Sequence, residues 1–282
     1  MKKIFTLFII LIIIITILSL FLTLTHKLPL RDNIALIRVE GVLIDSKDII
    51  EELRDYSDDA SIKAVVIRIE SPGGAVAPAQ EIYEEIVKIK ERKKVVVSMG
   101  STAASGGYYI ASPADKIVAN PGTLTGSIGV IMEIPNIKGL MDKIGVEAQV
   151  IKSGRHKDIA SMFKSMTEEE RKILQGVLDD VHDQFIEAVA KGRGMDINEV
   201  RRLADGRIFT GRMAKELGLV DELGDLEDAI MLAGRLSGIK GRPNVVEKKK
   251  RFGILEILKG DVKEGILNNV FYGIRLKYIL MP

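Results

Sequence analysis

The chain has 282 residues, with 41 Lys+Arg against 39 Asp+Glu for a net charge of +2. It has room for one large domain or two small ones, and it lacks the overall basic footprint that nucleic-acid binding requires. It has no cysteine and only three histidines, which excludes disulfides, Cys-ligated zinc and a Cys nucleophile and argues against a His-rich metal site.

Met1-Lys2-Lys3 leads into Ile4–Leu24, an almost unbroken apolar run whose polar residues are Thr and Ser alone. Coiled as a helix, it would extend about 30 Å, the thickness of a bilayer's hydrocarbon core. A cleavable signal peptide has a shorter apolar region and ends in a small-residue site. This run ends Leu22-Thr-Leu-Thr-His-Lys27, which predicts an uncleaved signal anchor. Lys2 and Lys3 on one side, against Lys27 and the later Arg31 on the other, give a slight positive-inside bias. The expected arrangement is a single pass through the cell membrane, with the N-terminus cytoplasmic and the remaining domain outside. The chain divides accordingly into an anchor (1–27), a main domain (28–243) and a C-terminal tail (244–282).

Leu28–Asp32 reads as a linker. Asn33–Ile44, rich in β-branched residues, predicts a strand bent at Gly41, and Ser46–Tyr56 predicts an amphipathic helix capped by Ser46. Ala64–Ile69 predicts a buried strand running into Glu70-Ser-Pro-Gly-Gly-Ala75, with a helix from about Pro78 to Glu91. Val95–Met99 is the next strand, followed by a helix starting at Ser105 and short strands at Lys116–Ala119, Gly129–Met132 and Gln149–Lys152. A long helix follows over Thr167–Lys191, opened by the capping box Thr167-x-x-Glu170. Shorter helices are expected at Asp196–Ala204, Gly211–Leu217 and Leu226–Leu236. Strands alternating with helices predict an α/β fold with a largely parallel sheet. After the basic run Glu247-Lys-Lys-Lys-Arg251, Phe252–Pro282 is again apolar; it is expected either to pack on an assembly or lie at the membrane surface, or to close the core as a last helix.

Three stretches carry chemistry. Ser105, within Gly100-Ser-Thr-Ala-Ala-Ser-Gly-Gly-Tyr-Tyr-Ile-Ala111, sits at a strand-to-helix junction, either as an N-cap or as a nucleophile among small residues that let a peptide approach. Ser71-Pro-Gly-Gly-Ala75 follows a buried strand. Its glycines can turn N–H groups toward a common point, as an oxyanion hole needs, or simply form a turn. Ile151-Lys-Ser-Gly-Arg-His-Lys-Asp158 offers two candidate bases, His156 and Lys157, since Ser–Lys pairs are a variant of the serine triad. His26 falls at the membrane boundary, and His182 lies among charged residues of a helix.

Together these stretches resemble the signal peptide peptidase A family in its short, membrane-anchored form. The resemblance covers most of Ile34–Leu236. It rests on SPGG at Ser71–Gly74, GSTAASGGYYIA at Gly100–Ala111, TGSIGV at Thr125–Val130, IKSGRHKD at Ile151–Asp158 and GRIFTGRMAKELGLVDELG at Gly206–Gly224. It implies a Clp/crotonase-like spiral of β-β-α units behind an N-terminal transmembrane helix, and a ring-shaped homo-oligomer. Ser105 would be the nucleophile and Lys157 the general base of a serine endopeptidase that degrades cleaved signal peptides and other apolar segments through an acyl-enzyme. An ordinary lysine, with a pKa near ~10.4, is almost wholly protonated at neutral pH, so such a base is expected to be buried. Ser127 would aim the neutral amine, and the N–H groups of Gly74 and Gly106 would form the oxyanion hole. No metal or other cofactor is required, and the partners are peptides and the membrane, not nucleic acid. One departure is local: the family often has Pro soon after KSG-x-x-KD, where Asp158 here is followed by Ile-Ala-Ser-Met. A related membrane protease that cuts stomatin-like proteins also uses a Ser–Lys pair, but Gly106-Gly107 and Tyr108-Tyr109 favour the signal peptide form. A crotonase-like acyl-CoA enzyme would share the fold, yet a signal anchor speaks against it. A non-catalytic membrane scaffold is the remaining rival, separable by serine-directed labelling.

Overall fold

The β-branched runs at 33–39, 64–69 and 95–99 lie side by side and form the centre of a sheet. The computed structural model describes residues 2–25, 32–248 and 277–279. In chain order the elements are α1 (Lys2–Thr25), β1 (Asn33–Glu40), α2 (Lys47–Asp58), β2 (Ile62–Ser71), β3 (Gly73–Ala75), α3 (Val76–Lys90), β4 (Lys94–Ala104) and α4 (Gly106–Ala111). They continue with β5 (Lys116–Ala119), β6 (Leu124–Gly126), α5 (Lys138–Ile144), α6 (Glu168–Arg193), α7 (Ile197–Leu203), β7 (Ile208–Thr210) and α8 (Gly211–Glu216). The last are β8 (Glu222–Leu223), α9 (Leu226–Leu236), β9 (Asn244–Glu247) and β10 (Lys277–Ile279).

The main sheet runs β7-β6-β4-β2-β1-β9, with β5 also pairing β4 and β8 pairing β5. Its ladders are parallel except β6 with β7, as the alternation of strands and helices predicted. One edge of β4 is shared: Val96–Met99 pair with β5, and Thr102–Ala104 pair with β6. The pleat sends neighbouring side chains to opposite faces. Ala35, Ile37 and Val39 join the core under α2, α3, α4 and α6, while Ile34, Leu36, Ala64 and Val66 face Ala229, Ile230 and Ala233 of α9. The sheet continues past Pro243, because β9 pairs in parallel with β1.

The capping box at Thr167 forms as expected, and Gly194 (φ 64°) ends α6 in the left-handed region. Ser46 departs from expectation, since its hydroxyl donates to the Glu81 carboxylate and makes no cap bond. Gly129–Met132 and Gln149–Lys152 are not strands. Val150 and Ile151 are exposed, so their β-branched character finds no neighbouring strand to pair with. Several elements come without a strong sequence pattern, among them the short strands β3, β6, β7, β8 and β9 and the helix α5, which buries none of its residues. Among the described residues no helix is long and apolar enough to cross a membrane. The described side chains of α1, those of residues 9–20, are all exposed, and the helix backbone itself runs 24 residues. Most of the tail, including Phe252–Tyr272, lies outside the described residues. Its strand β10 pairs antiparallel with β3, Tyr278 opposite Gly74.

Candidate active site

Parallel pairing carries the informative motifs to one edge of the sheet. Ser71 of β2 lies opposite Ala103 of β4, and Ala104 lies opposite Gly126 of β6. The three strands therefore end together, and the segments leaving them hold Gly73 and Gly74, Ser105 and Gly106, and Ser127. In α/β sheets, sites form beyond the carboxyl ends of the strands. The β2–β4 ladder shifts register between Ile69 and Ser71. Glu70 splices that irregularity, its carboxylate accepting from the N–H groups of Ser101 at 2.8 Å and Thr102 at 3.0 Å. A Cβ at Gly100 would run into this carboxylate. Neither role is visible in the motifs; the one hint is an acidic residue at the end of the Ala64–Ile69 strand.

Ser105 is held at φ 55° and ψ −117°, a region that non-glycine residues rarely adopt and that costs of order 1–3 kcal/mol. Two backbone bonds fix it there. Its N–H donates to Gly126 O at 2.8 Å, and its carbonyl accepts from Tyr109 N–H at 2.8 Å. Its Oγ is buried and has no hydrogen-bond partner among the described residues, and no side-chain cap bond forms. A capping serine would accept from an N–H of the first turn. The N-cap reading therefore fails, and the hydroxyl is left available for chemistry. Behind it, α4 is anchored by the Tyr108 hydroxyl, which donates to Leu219 O at 3.0 Å, and by Tyr109 against Tyr83 and Phe185 with ring centroids 5.2 and 4.9 Å away.

In the SPGG segment, Ser71 is structural. Its hydroxyl donates to Gly41 O at 2.6 Å and accepts from Gly73 N–H at 3.1 Å. Gly73 takes φ 99°, while Gly74 lies against Leu43, so that a Cβ there would collide with the Leu43 backbone. Ser127 is buried, with φ 50° and its N–H donating to Arg207 O at 2.8 Å. It occupies the strand end beside Ser105 without bonding the Ser105 hydroxyl.

Lys157 stands apart. It is exposed and makes no hydrogen bond to Ser105, so the burial expected of a lysine base is not supplied by this chain alone. It lies in a turn where the other basic residues have acidic partners. Lys152 pairs with Asp158 at 2.6 Å, Lys164 pairs with Asp158 at 3.1 Å and with Glu170, and Arg155 pairs with Glu169. Lys152, and after it Lys164, hold the Asp158 carboxyl below the usual carboxylate range. His156 lies beside Glu169, Nε2 to Oε1 3.7 Å. His182 is half-buried in α6, with Nε2 unpartnered among the described residues. His26 lies outside the described residues. Neither described histidine bonds the Ser105 hydroxyl.

Residues 88–240 match the family model for peptidase family S49, a span that contains Ser105, Ser127 and Lys157. The chain belongs to peptidase family S49. A Synechocystis protein provisionally named a protease is 45% identical over 223 residues, 78% of this chain and 79% of the relative. An Enterococcus faecium protein provisionally named signal peptide peptidase SppA is 43% identical over 185 residues, 65% of this chain and 54% of its own length. Protease 4 of Salmonella typhi is 37% identical over 218 residues, which cover 74% of this chain but 35% of that protein. The resemblance drawn from the five motifs is thus borne out, and this S49 chain is a serine peptidase. For the peptidase, Gly74→Ala should displace β3 from Leu43 and lower kcat/KM by about 100-fold, the scale of losing one oxyanion donor. Steady-state kinetics check this; a wild-type rate would show that β3 has no part in turnover.

Proposed function

We propose that this chain is a membrane-anchored serine endopeptidase in which Ser105, served by Lys157 as general base, cuts signal peptides and other apolar segments. The observation that carries the reading is the buried, unpartnered Ser105 Oγ on a strained strand-to-helix turn. In the reaction, the neutral Lys157 amine takes the Ser105 proton as Oγ attacks the scissile carbonyl carbon. The N–H groups of Gly74 and Gly106 stabilise the oxyanion. Collapse expels the amine product, which receives its proton from the Lys157 ammonium and leaves an acyl-enzyme. Water, deprotonated by the same lysine, then releases the acid product. Ser127 serves to aim the amine.

The pairing of β10 with β3 supports an extended substrate. The β3 edge accepts an antiparallel strand with Tyr278 opposite Gly74, the strand-addition mode of peptide recognition. The Clp/crotonase-like spiral is supported by the succession β2, β3, α3, where β3 leaves the main sheet. The exposed position of Lys157 supports a ring-shaped homo-oligomer, in which a neighbouring copy provides the desolvation the amine requires. Exposed Leu140, Ile144, Val146, Val150 and Ile151, close to Lys157 in sequence, give such a contact its apolar surface. The apolar Ile4–Leu24 sequence and the 24-residue helix α1 support an anchor, and Lys2 and Lys3 support the N-terminus inside with the domain outside the cytoplasm. The test is labelling by a fluorophosphonate in membranes. Full-length protein should label at Ser105 in the membrane fraction and release an apolar peptide substrate as fragments. A chain that never labels would be a scaffold, and the proposal would fall.

A further inference from the structure

The turn that carries Lys157 is built from local bonds. Lys157 N–H donates to Gly154 O at 3.1 Å, Ile159 N–H to His156 O at 3.0 Å and Ser161 N–H to Asp158 O at 3.1 Å. Ala160 takes φ 63°, a left-handed conformation uncommon for alanine, so the turn needs outside support to keep its shape. One tie is Ile137 N–H to Met162 O at 2.9 Å. The other is a chain of charges. Asp158, its side chain 11% exposed, pairs with Lys152 and Lys164, and Lys164 also reaches Glu170, whose side chain is 5% exposed. Glu170 is itself locked into the first turn of α6, accepting from Thr167 N–H at 3.0 Å while Thr167 Oγ1 accepts from Glu170 N–H at 3.2 Å.

We propose that Lys164 is a positioning residue for Lys157: by tying Asp158 to Glu170 it fixes the Lys157 turn on α6 and keeps the Asp158 carboxylate away from the Lys157 amine. The inference rests on Lys157 being the base. Asp158 is the next residue along the chain, and a carboxylate within ~4–6 Å of an amine favours its ammonium form, which cannot accept the serine proton. Here that carboxylate is occupied by two other lysines. The charges around Lys157 are Lys152, Arg155, His156, Asp158 and Lys164 on its own segment and Glu169, Glu170 and Arg171 from α6. On α5, Lys138 and Asp142 pair with each other at 2.7 Å. Among the basic residues of 152–164, Lys157 is the one with no ion pair within the described residues. The clamp is present across the range that matters. Asp158 and Glu170 are both held below the usual carboxylate range, by Lys152 and by Lys164 respectively as the leading cause. Their contribution stands above the unfolded carboxylate pKa and is lost only as pH falls through the depressed folded value.

The experiment is the pH profile of kcat/KM, measured with a fluorogenic apolar peptide on full-length protein in detergent, with assembly and Tm recorded for each variant. Lys164→Met should lower kcat/KM about 100-fold at neutral pH, as expected for a misplaced catalytic group. It should also move the acid limb up by roughly one pH unit, as Asp158 turns to the amine. Lys164→Arg should keep both rate and limb. The double variant Lys164→Met/Asp158→Asn should return the limb to its wild-type position, a rescue that a purely structural role does not produce. An unmoved limb in folded Lys164→Met, or a limb that stays shifted in the double variant, overturns the proposal. If Lys164→Met does not fold, Asp158→Asn decides: its limb should lie at or below the wild-type position, and an upward shift refutes the inference. Lys157→Met separates the two levels. Full activity there removes the base assignment itself, whereas a dead Lys157→Met beside an unaltered Lys164→Met removes only the clamp.

Discussion

Ser105→Ala should abolish peptide hydrolysis, lowering kcat/KM by about 10,000-fold or more, while the protein still folds and assembles. The loss follows from removing the nucleophile, because the residual groups can only orient the peptide and polarise its carbonyl. Folding should survive for a reason specific to this site. A capping serine replaced by alanine costs about 1 kcal/mol, but Ser105 makes no cap bond, and its Oγ has no hydrogen-bond partner. The backbone bonds from Gly126 and Tyr109 persist in the variant, and alanine meets the same strain at φ 55° as serine does. The Tm should therefore move by no more than about 3 °C. Turnover measured with an apolar peptide, beside a thermal melt, checks both halves; substantial residual turnover would assign the nucleophile elsewhere.

Lys157→Met should be nearly as severe in rate, because methionine keeps much of the side-chain volume but cannot take a proton. His156→Gln should cost no more than a few-fold, since His156 lies against Glu169 at 3.7 Å and does not touch Ser105. The stability of both variants should stay close to wild type: Lys157 is exposed without an ion pair among the described residues, and an exposed His–Glu contact contributes little. The pH profile sharpens the comparison. With a lysine base, kcat/KM rises as the amine loses its proton, giving activity at neutral to alkaline pH and loss below it. That limb should survive in His156→Gln. A limb that vanishes in that variant, or a dead His156→Gln beside an active Lys157→Met, would replace the Ser–Lys pair with a Ser–His one.

The strands at the centre of the sheet were legible in the sequence because local chemistry dictates them. Runs such as Ala64–Ile69 are rich in β-branched residues, with Arg68 as their one charged member, so they suit a strand buried on both faces. Helix α6 was legible for a similar reason, since Thr167 and Glu170 satisfy each other's backbone within one turn. Ser105, Gly106 and the SPGG turn stood out as small residues at strand ends, and their chemistry follows from residue type.

Where those residues sit relative to one another is a different matter. Ser71 and Ala103 become neighbours only through the parallel β2–β4 register, which depends on long-range pairing and on Glu70 bridging the bulge to Ser101 and Thr102. The conformation of Ser105 was equally hidden. Residue type allowed both an N-cap and a nucleophile, and the tertiary fold decided between them by holding Ser105 between Gly126 and Tyr109 at a φ that leaves its hydroxyl unpartnered. The short strands expected at Gly129–Met132 and Gln149–Lys152 fail because β-propensity becomes a strand only where an edge is free to pair. The residues by themselves left His156 and Lys157 both open, and the family resemblance of the motif singled out Lys157. The tertiary structure shows that its own chain leaves it exposed while Lys152 and Lys164, both close to Asp158 in sequence, take its carboxylate, and Lys164 is tied in turn to Glu170 of α6.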